Sequence, residues 1–334
     1  MKPLKLLVII PAYNEAASIA DLLRRMPDLR AMGIQLAPLV IDDGSDDHTG
    51  EFARAAGAKV LRHETNLGLG RSFQDGLEYA LQDDADILVN IDADLQYDPA
   101  DIEKLIRPIL DGKADLVVAD RFSNAAGKKI RPREMPAVKF WGNQCMTWLV
   151  NTLARTRLGD VSSGFRAYSR EAMLHLNLSG KYTYTHETVL DLAFKRLRLI
   201  STPINVVYYA ERKSKIADNL AVYAQQTLRI ILKAFRDYRP FYFFGLLAFF
   251  PLIIGATLSL FMLVYYLTTG EFTPYKFVGF IGVYLFSLGL VFVIIGFLAD
   301  ILVGIRLTAE RQLYLQKKAM QQQKRVMSQS DETG

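Results

Sequence analysis

Two long stretches of this chain carry no charged side chain, Pro240 to Gly270 and Phe277 to Ala299. Each exceeds the roughly 20 residues that a helix needs to cross a bilayer. Pro251 and the internal glycines are no obstacle, because both residue types are tolerated in membrane helices. A buried hairpin of a soluble domain is the alternative. It is the weaker one, since hydrophobic types reach 51% of the 334 residues and are placed very unevenly.

The flanking charges give an orientation. Arg229, Lys233, Arg236 and Arg239 precede the first stretch, and Arg306, Arg311, Lys317, Lys318, Lys324 and Arg325 follow the second. Between the stretches stand only Glu271 and Lys276. By the positive-inside rule both termini are expected in the cytoplasm, at the plasma membrane in a prokaryote, with a short loop outside. The apolar run Leu6 to Ile10 is too short for a signal peptide and reads as a first strand. Cys145 is the only cysteine, so no intrachain disulfide forms and no oxidising compartment is required.

Ahead of the spans, residues 4 to about 120 alternate short apolar runs with helical patterns. Strands are expected at Leu6–Ile10, Ala37–Ile41, Lys59–Arg62, Ile87–Ile91 and Leu116–Ala119, with helices starting near Ala17, Thr49, Gly70 and Pro99. Near-continuous apolar strands separated by helices predict an α/β domain whose mostly parallel sheet is covered on both faces. Ligands of such sheets bind beyond the strand C-termini, where Asp42–Asp47, Asn66–Gly70 and Asp92–Asp98 fall. A dinucleotide fold would need G-x-G-x-x-G after the first strand. That place holds Pro11-Ala12-Tyr13-Asn14-Glu15 instead.

Further along, Phe122 to Arg133 is a basic segment with Lys128, Lys129, Arg131 and Arg133. It reads as a surface loop or as a handle for an anionic partner near the membrane. A helix is expected from 135 to 158, then a polar turn into a short strand over Val161–Tyr168. Apolar residues recur at helical spacing from Asn219 to Tyr238, which suits an amphipathic juxtamembrane helix at 216–239, lying on the membrane surface or packed on the catalytic domain. The basic tail at 304–334 is expected to fray after about Lys317.

Asp92-Ala93-Asp94-Leu95-Gln96 carries the chemistry. In an extended segment residues i and i+2 point to one side, so the two carboxylates repel each other unless a cation sits between or beside them. The simplest resident is Mg2+ or Mn2+ carrying a phosphorylated substrate. A solvated turn is the plainer alternative, and the other motifs outweigh it. After the second strand comes Asp42-Asp43-Gly44-Ser45-Asp46-Asp47-His48-Thr49, in which Gly44 permits a tight turn and Asp46 or Asp47 can cap the next helix. Asp42 and Asp43 are left to accept hydrogen bonds from a nucleobase or ribose.

Taken with Asp160-Val-Ser-Ser-Gly-Phe-Arg166 and Arg212-Lys-Ser-Lys215, these motifs resemble the family 2 glycosyltransferases of GT-A fold, and within them the dolichol-phosphate mannose synthase-like and GtrB-like enzymes. The resemblance covers roughly residues 5 to 235. It implies a cytoplasmic catalytic domain over 1–215 and two membrane helices within 240–303. It also implies a divalent ion, a UDP- or GDP-linked sugar donor and a polyprenyl phosphate acceptor, with no nucleic-acid partner. Self-association is compatible with the paired spans, without a count.

By position, the resemblance implies that Pro11, Tyr13, Glu15 and Asp42 line the nucleotide pocket. Asp92 would meet the ribose and diphosphate side, and Asp94 with Gln96 would hold the metal. Arg121 would meet the acceptor phosphate, helped by Arg131 or Arg133. Asp160 and Arg166 would lie beside the sugar, and Arg212 and Lys215 would close over phosphates. The segment Glu211–Lys215 departs from the pattern, because many relatives have a glycine before the Ser-Lys pair.

A phosphate monoester is already anionic near neutral pH, so such an acceptor needs positioning more than a base. With a glycan or other hydroxyl acceptor, Asp160 or Glu187 would have to take a proton. Direct displacement inverts the anomeric centre. An inactive membrane scaffold is the reading from a different class. His186 has no zinc pattern around it, and Trp141 and Trp148 suit packing or interfacial anchoring.

Overall fold

The computed structural model describes residues 3–124, 126–132, 135–177, 184–207, 232, 235–237 and 239–331, the last few as backbone only beyond 323. Arg133, Arg212, Lys215 and almost all of the expected helix at 216–239 lie outside the described residues. The chain divides into two compact units, Met1–Asp218 with Tyr314–Gly334, and Asn219–Leu313.

The first unit is built on seven strands, β1 (Leu4–Ala12), β2 (Ile34–Asp42), β3 (Lys59–Arg62), β4 (Ile87–Asn90), β5 (Leu116–Asp120), β6 (Arg166–Ser169) and β7 (Leu199–Pro203). Their order across the sheet is β3-β2-β1-β4-β6-β5-β7. All neighbours are parallel except those of β6, which runs antiparallel to both β4 and β5. The mostly parallel α/β sheet expected from the apolar runs is therefore present.

Helices cover both faces. On one side Leu6, Val8, Ile10 and Val89 pack with residues of α1 (Ile19–Arg24), α2 (Thr49–Ala55) and α4 (Ile102–Leu110). On the other side α3 (Leu69–Gln82) comes so close that a Cβ on its Gly76 would lie 3.0 Å from Ile9. Phe73 of α3 stacks on Tyr184, just before α7 (Thr185–Phe194), at 4.2 Å between ring centroids. Two more helices, α5 (Ala137–Ala154) and α6 (Arg170–His175), complete the layer.

Strand register explains where the motifs meet. Ala12 pairs with Asp42, and Ile91 donates its N–H to Ile9 at 3.1 Å, so the turns after β1, β2 and β4 leave the same edge. Because β6 is antiparallel and sets Arg166 opposite Asn90 and Val118, the loop Asp160–Phe165 enters at that edge as well. A parallel sixth strand would have sent it to the opposite edge.

Among the described residues, α8 (Pro240–Thr269) and the first part of α9 (Lys276–Asp331), in the second unit, are the two helices long and apolar enough to cross a membrane. Only 17% and 11% of their most apolar windows are buried, which disfavours the buried-hairpin alternative. They pack through glycines of α9: a Cβ on Gly282 would lie 2.8 Å from the Ser259 nitrogen and one on Gly289 would lie 2.6 Å from Leu252. Small residues allow this backbone approach where lipid supplies no hydrophobic drive.

The expected fraying after Lys317 is corrected. Helix α9 continues to Asp331, and from Tyr314 it belongs to the first unit. The Tyr314 ring stacks on His175 at 4.1 Å. Its hydroxyl donates to Glu171 at 2.6 Å, Lys317 donates to Asn177 Oδ1 at 2.9 Å, and Arg170 donates to Gln321 Oε1 at 2.7 Å. These partners recur at helical spacing, which a polar composition conceals.

Candidate active site

The floor of the cleft is made by the turn after β4. Asp92 and Asp94 are both half-buried, and Leu95 takes a left-handed φ of 59° that folds the turn back on itself. Asp94 Oδ1 accepts the Gln96 backbone N–H at 3.1 Å. The Gln96 carbonyl accepts from Val207 at 3.0 Å. Opposite, the backbone of Gly164 passes so near that a Cβ there would sit 2.6 Å from Asp92 Oδ2.

Burial, and next the Asp94 carboxylate, push the Asp92 carboxyl up to about 7; Glu15 adds to this, while Arg121 and Arg166 oppose it. Two acids held together against their charge are the kind of donor set a hard cation relieves. Among the described residues no group of three or more His, Cys, Asp or Glu side chains is arranged to hold an ion. One or two carboxylates completed by substrate phosphates and water is the usual arrangement for Mg2+. The residues present therefore fit a divalent ion that arrives with a diphosphate.

One wall is formed by Arg121, one residue past β5. Its Nε donates to Asp160 Oδ2 at 2.6 Å and its second guanidinium nitrogen to Oδ1 at 3.2 Å. Asp160 is fully buried and also accepts the Ser162 N–H at 2.8 Å. A carboxylate whose two oxygens are engaged this way orients a guanidinium; it is poorly placed to take a proton.

Lys139, in the first turn of α5, is half-buried close by. Burial, and second the Arg121 charge, lower its ammonium below the usual lysine range. It makes no ion pair among the described residues. The sequence reading missed Lys139; its only signal was the basic character of residues 128–133 continuing into the next helix.

Arg166 corrects an expectation. Rather than lying beside the sugar, it has no exposed surface. Its Nε donates to the Ser163 carbonyl and another nitrogen to Val161, both at 2.7 Å, while the third reaches the Thr185 carbonyl at 2.6 Å and Thr188 Oγ1 at 2.7 Å. It pins the Asp160–Phe165 loop to α7. Glu187 stands half-buried in the first turn of that helix. Beside it, burial foremost and then the Arg166 charge lower the His186 imidazole to about 4.

The nucleotide side is built by the turns after β1 and β2. Asn14, at φ 56°, donates its N–H to Ser45 Oγ at 3.0 Å and accepts the Asp46 N–H at 2.9 Å. Asp47 accepts the N–H groups of Ala16 at 3.1 Å and Thr49 at 3.0 Å. Pro11 is buried, Tyr13 is 39% exposed, and Glu15 Oε2 accepts from Ser18 Oγ at 2.6 Å. Asp42 is buried with Oδ1 on the Ser45 N–H at 3.0 Å; its Oδ2 faces Arg62 Nε at 3.7 Å and accepts no hydrogen bond among the described residues.

Asp43 is a second correction, because it has the structural task that the sequence did not reveal. Its carboxylate accepts the N–H groups of Leu67 and Gly68, each at 2.8 Å, and meets His63 Nδ1 at 2.7 Å. It fastens the Asn66–Gly70 turn. Arg131 is exposed on the segment after β5.

Residues 7–176 match the model of the family described as glycosyl transferase family 2. The UDP-N-acetylglucosamine–dolichyl-phosphate N-acetylglucosaminyltransferase of Methanococcus voltae is 31% identical over 221 residues, 60% of this chain and 85% of that protein. The undecaprenyl-phosphate mannosyltransferase of Micrococcus luteus is 28% identical over 232 residues, 65% of this chain and 89% of that protein. Glucosyl-3-phosphoglycerate synthase from Mycobacterium tuberculosis, solved with Mn2+, UDP-glucose and phosphoglyceric acid, aligns at TM-score 0.53 and 23% identity. That alignment covers 69% of this chain and 79% of the synthase, a likeness of fold alone.

Proposed function

Because this chain belongs to glycosyl transferase family 2, we propose that it moves one hexose from a nucleoside-diphosphate sugar to a polyprenyl phosphate at the cytoplasmic membrane face, with inversion. The observation that carries this reading is the meeting of the Asp92/Asp94 pair with the Arg121–Asp160 pair and Lys139 at one sheet edge, in a chain with two helices of membrane length. The lipid-phosphate relatives named above support the choice of acceptor.

In this mechanism a phosphate oxygen of the lipid attacks the anomeric carbon as the bond to the β-phosphate breaks, and the nucleoside diphosphate leaves. A divalent ion bound with the diphosphate at Asp92 and Asp94 would stabilise the charge that develops on the leaving group. Pro11, Tyr13, Glu15 and Asp42 hold the nucleotide. Arg121, steered by Asp160, and Lys139 hold the lipid phosphate, which needs no proton removed. Arg212 and Lys215 are proposed to close over the phosphates.

The test uses purified full-length protein, Mg2+ or Mn2+, a panel of UDP- and GDP-sugars, and one polyprenyl phosphate. A lipid carrying a single sugar supports the reading, whereas extended glycan points to a polymerising enzyme. Absence of turnover with every donor in a folded sample points to a binding protein.

A further inference from the structure

Among the described residues helix α5 buries one side and leaves a second, more apolar side exposed. Asn143, Met146, Thr147 and Val150 face inward and are buried. Val138, Trp141 and Trp148 recur on the outer side at spacings of three and seven residues and are 56%, 69% and 66% exposed. Cys145 is exposed on the same stripe. Two tryptophans so open to water need a partner, since large side chains of this kind are rarely left bare together.

The surface next to this stripe is cationic. After β5 the chain turns back on itself: Ser123 bridges to Lys129, and Asn124 Oδ1 accepts the Lys128 N–H at 2.9 Å. Lys128, Lys129, Ile130 and Arg131 are all exposed. Lys129 Nζ donates to Gln144 Oε1 at 2.6 Å, and Gln144 lies on α5 between the two tryptophans. The basic turn and the aromatic stripe therefore form one continuous face. At its root Phe122 meets Phe140 edge-on at 5.5 Å, beside Arg121 and Lys139.

We propose that this face docks on the surface of an anionic bilayer, with Trp141 and Trp148 at headgroup depth and Lys128 and Arg131 on the lipid phosphates. Three features select lipid over a second copy of the chain. Tryptophan is the residue most suited to the headgroup layer, basic side chains beside it complement acidic lipids, and the chain's own membrane-length helices keep a bilayer at hand. The inference rests on the exposure pattern and does not depend on the transferase reading.

Trp141 and Trp148 are the only tryptophans in the chain, so intrinsic emission reads this face alone. The full-length protein is reconstituted in liposomes with and without phosphatidylglycerol, some containing phospholipid brominated high on the acyl chain. The proposal expects blue-shifted emission, quenched at least twofold by brominated lipid, with deeper quenching as phosphatidylglycerol rises. The pair of changes Lys128→Glu and Arg131→Glu is expected to weaken that quenching. Emission at the water-exposed wavelength that ignores brominated lipid would overturn the proposal. So would a blue shift that follows protein concentration without bromine quenching, which would mark a contact between copies, or quenching indifferent to both lipid charge and the two substitutions.

Discussion

The guanidinium of Arg166 donates four hydrogen bonds inside the protein and touches no solvent. Arg166→Met removes a donor from the Ser163, Val161 and Thr185 carbonyls and from the Thr188 hydroxyl, and only the Thr185 carbonyl is seen to keep another, from Thr188 Oγ1 at 3.0 Å, so the cost is on the order of 3 kcal/mol or more. Thermal denaturation should show a clear fall in Tm, with activity lost through stability. Lys139→Ala should behave differently, raising KM for the lipid phosphate about tenfold, the equivalent of roughly 1.4 kcal/mol, with KM for the nucleotide sugar unchanged. Steady-state kinetics with each substrate varied in turn separates the two. His186 predicts a pH effect. Its folded-state value of about 4 lies below the ordinary imidazole value of 6.5, so the unfolded chain takes up the proton first. Stability from this site is complete above 6.5 and is lost as pH falls from there towards 4. In His186→Gln the denaturation midpoint should lose that part of its pH dependence. At this scale the acidic pair was legible because two carboxylates at i and i+2 repel in any extended segment. The task of Asp43 was not, because the amides it holds belong to a turn 24 residues further on, brought near only by the pairing of β2 with β3.

Among the elements, the helix pair depends on close backbone approach. Gly289 of α9 meets Leu252 and Gly282 meets Ser259, and any larger side chain there must push the helices apart. Gly289→Leu should lower the yield of folded protein in detergent and the melting temperature, read by size-exclusion chromatography and thermal denaturation, while Gly304→Leu, with open space around it, should not. Sequence periodicity found both helices, since uninterrupted apolar length is a strong signal, but it did not find this seam. The parallel strands were legible from their apolar runs. The place of β6 was not: four residues, Arg166–Ser169, carry no mark of direction, and pairing between β4 and β5 is a property of the assembled sheet. That placement brings Asp160 to Arg121. The docking of Tyr314, Lys317 and Gln321 was hidden for a related reason, because polar residues that dock and polar residues that face water have the same composition.

For the molecule as a whole, one short apolar start, an α/β alternation and two charge-free stretches are the signals in the sequence for a sheet domain and a helical pair, and nothing in its composition marks the return of the tail from Tyr314 to the first unit. The family match spans residues 7–176, a range that includes the turns after β1, β2 and β4. The central claim is that Asp92 and Asp94 together receive a cation and the diphosphate of a sugar donor. It is tested most directly by following labelled sugar from donor to polyprenyl phosphate with the full-length protein and with the double change Asp92→Ala and Asp94→Ala, each over a titration of Mg2+ or Mn2+. The account predicts transfer that requires the metal and falls by about 10²-fold or more in the double variant while the fold persists by circular dichroism. Transfer at an unchanged rate by the folded double variant would contradict it.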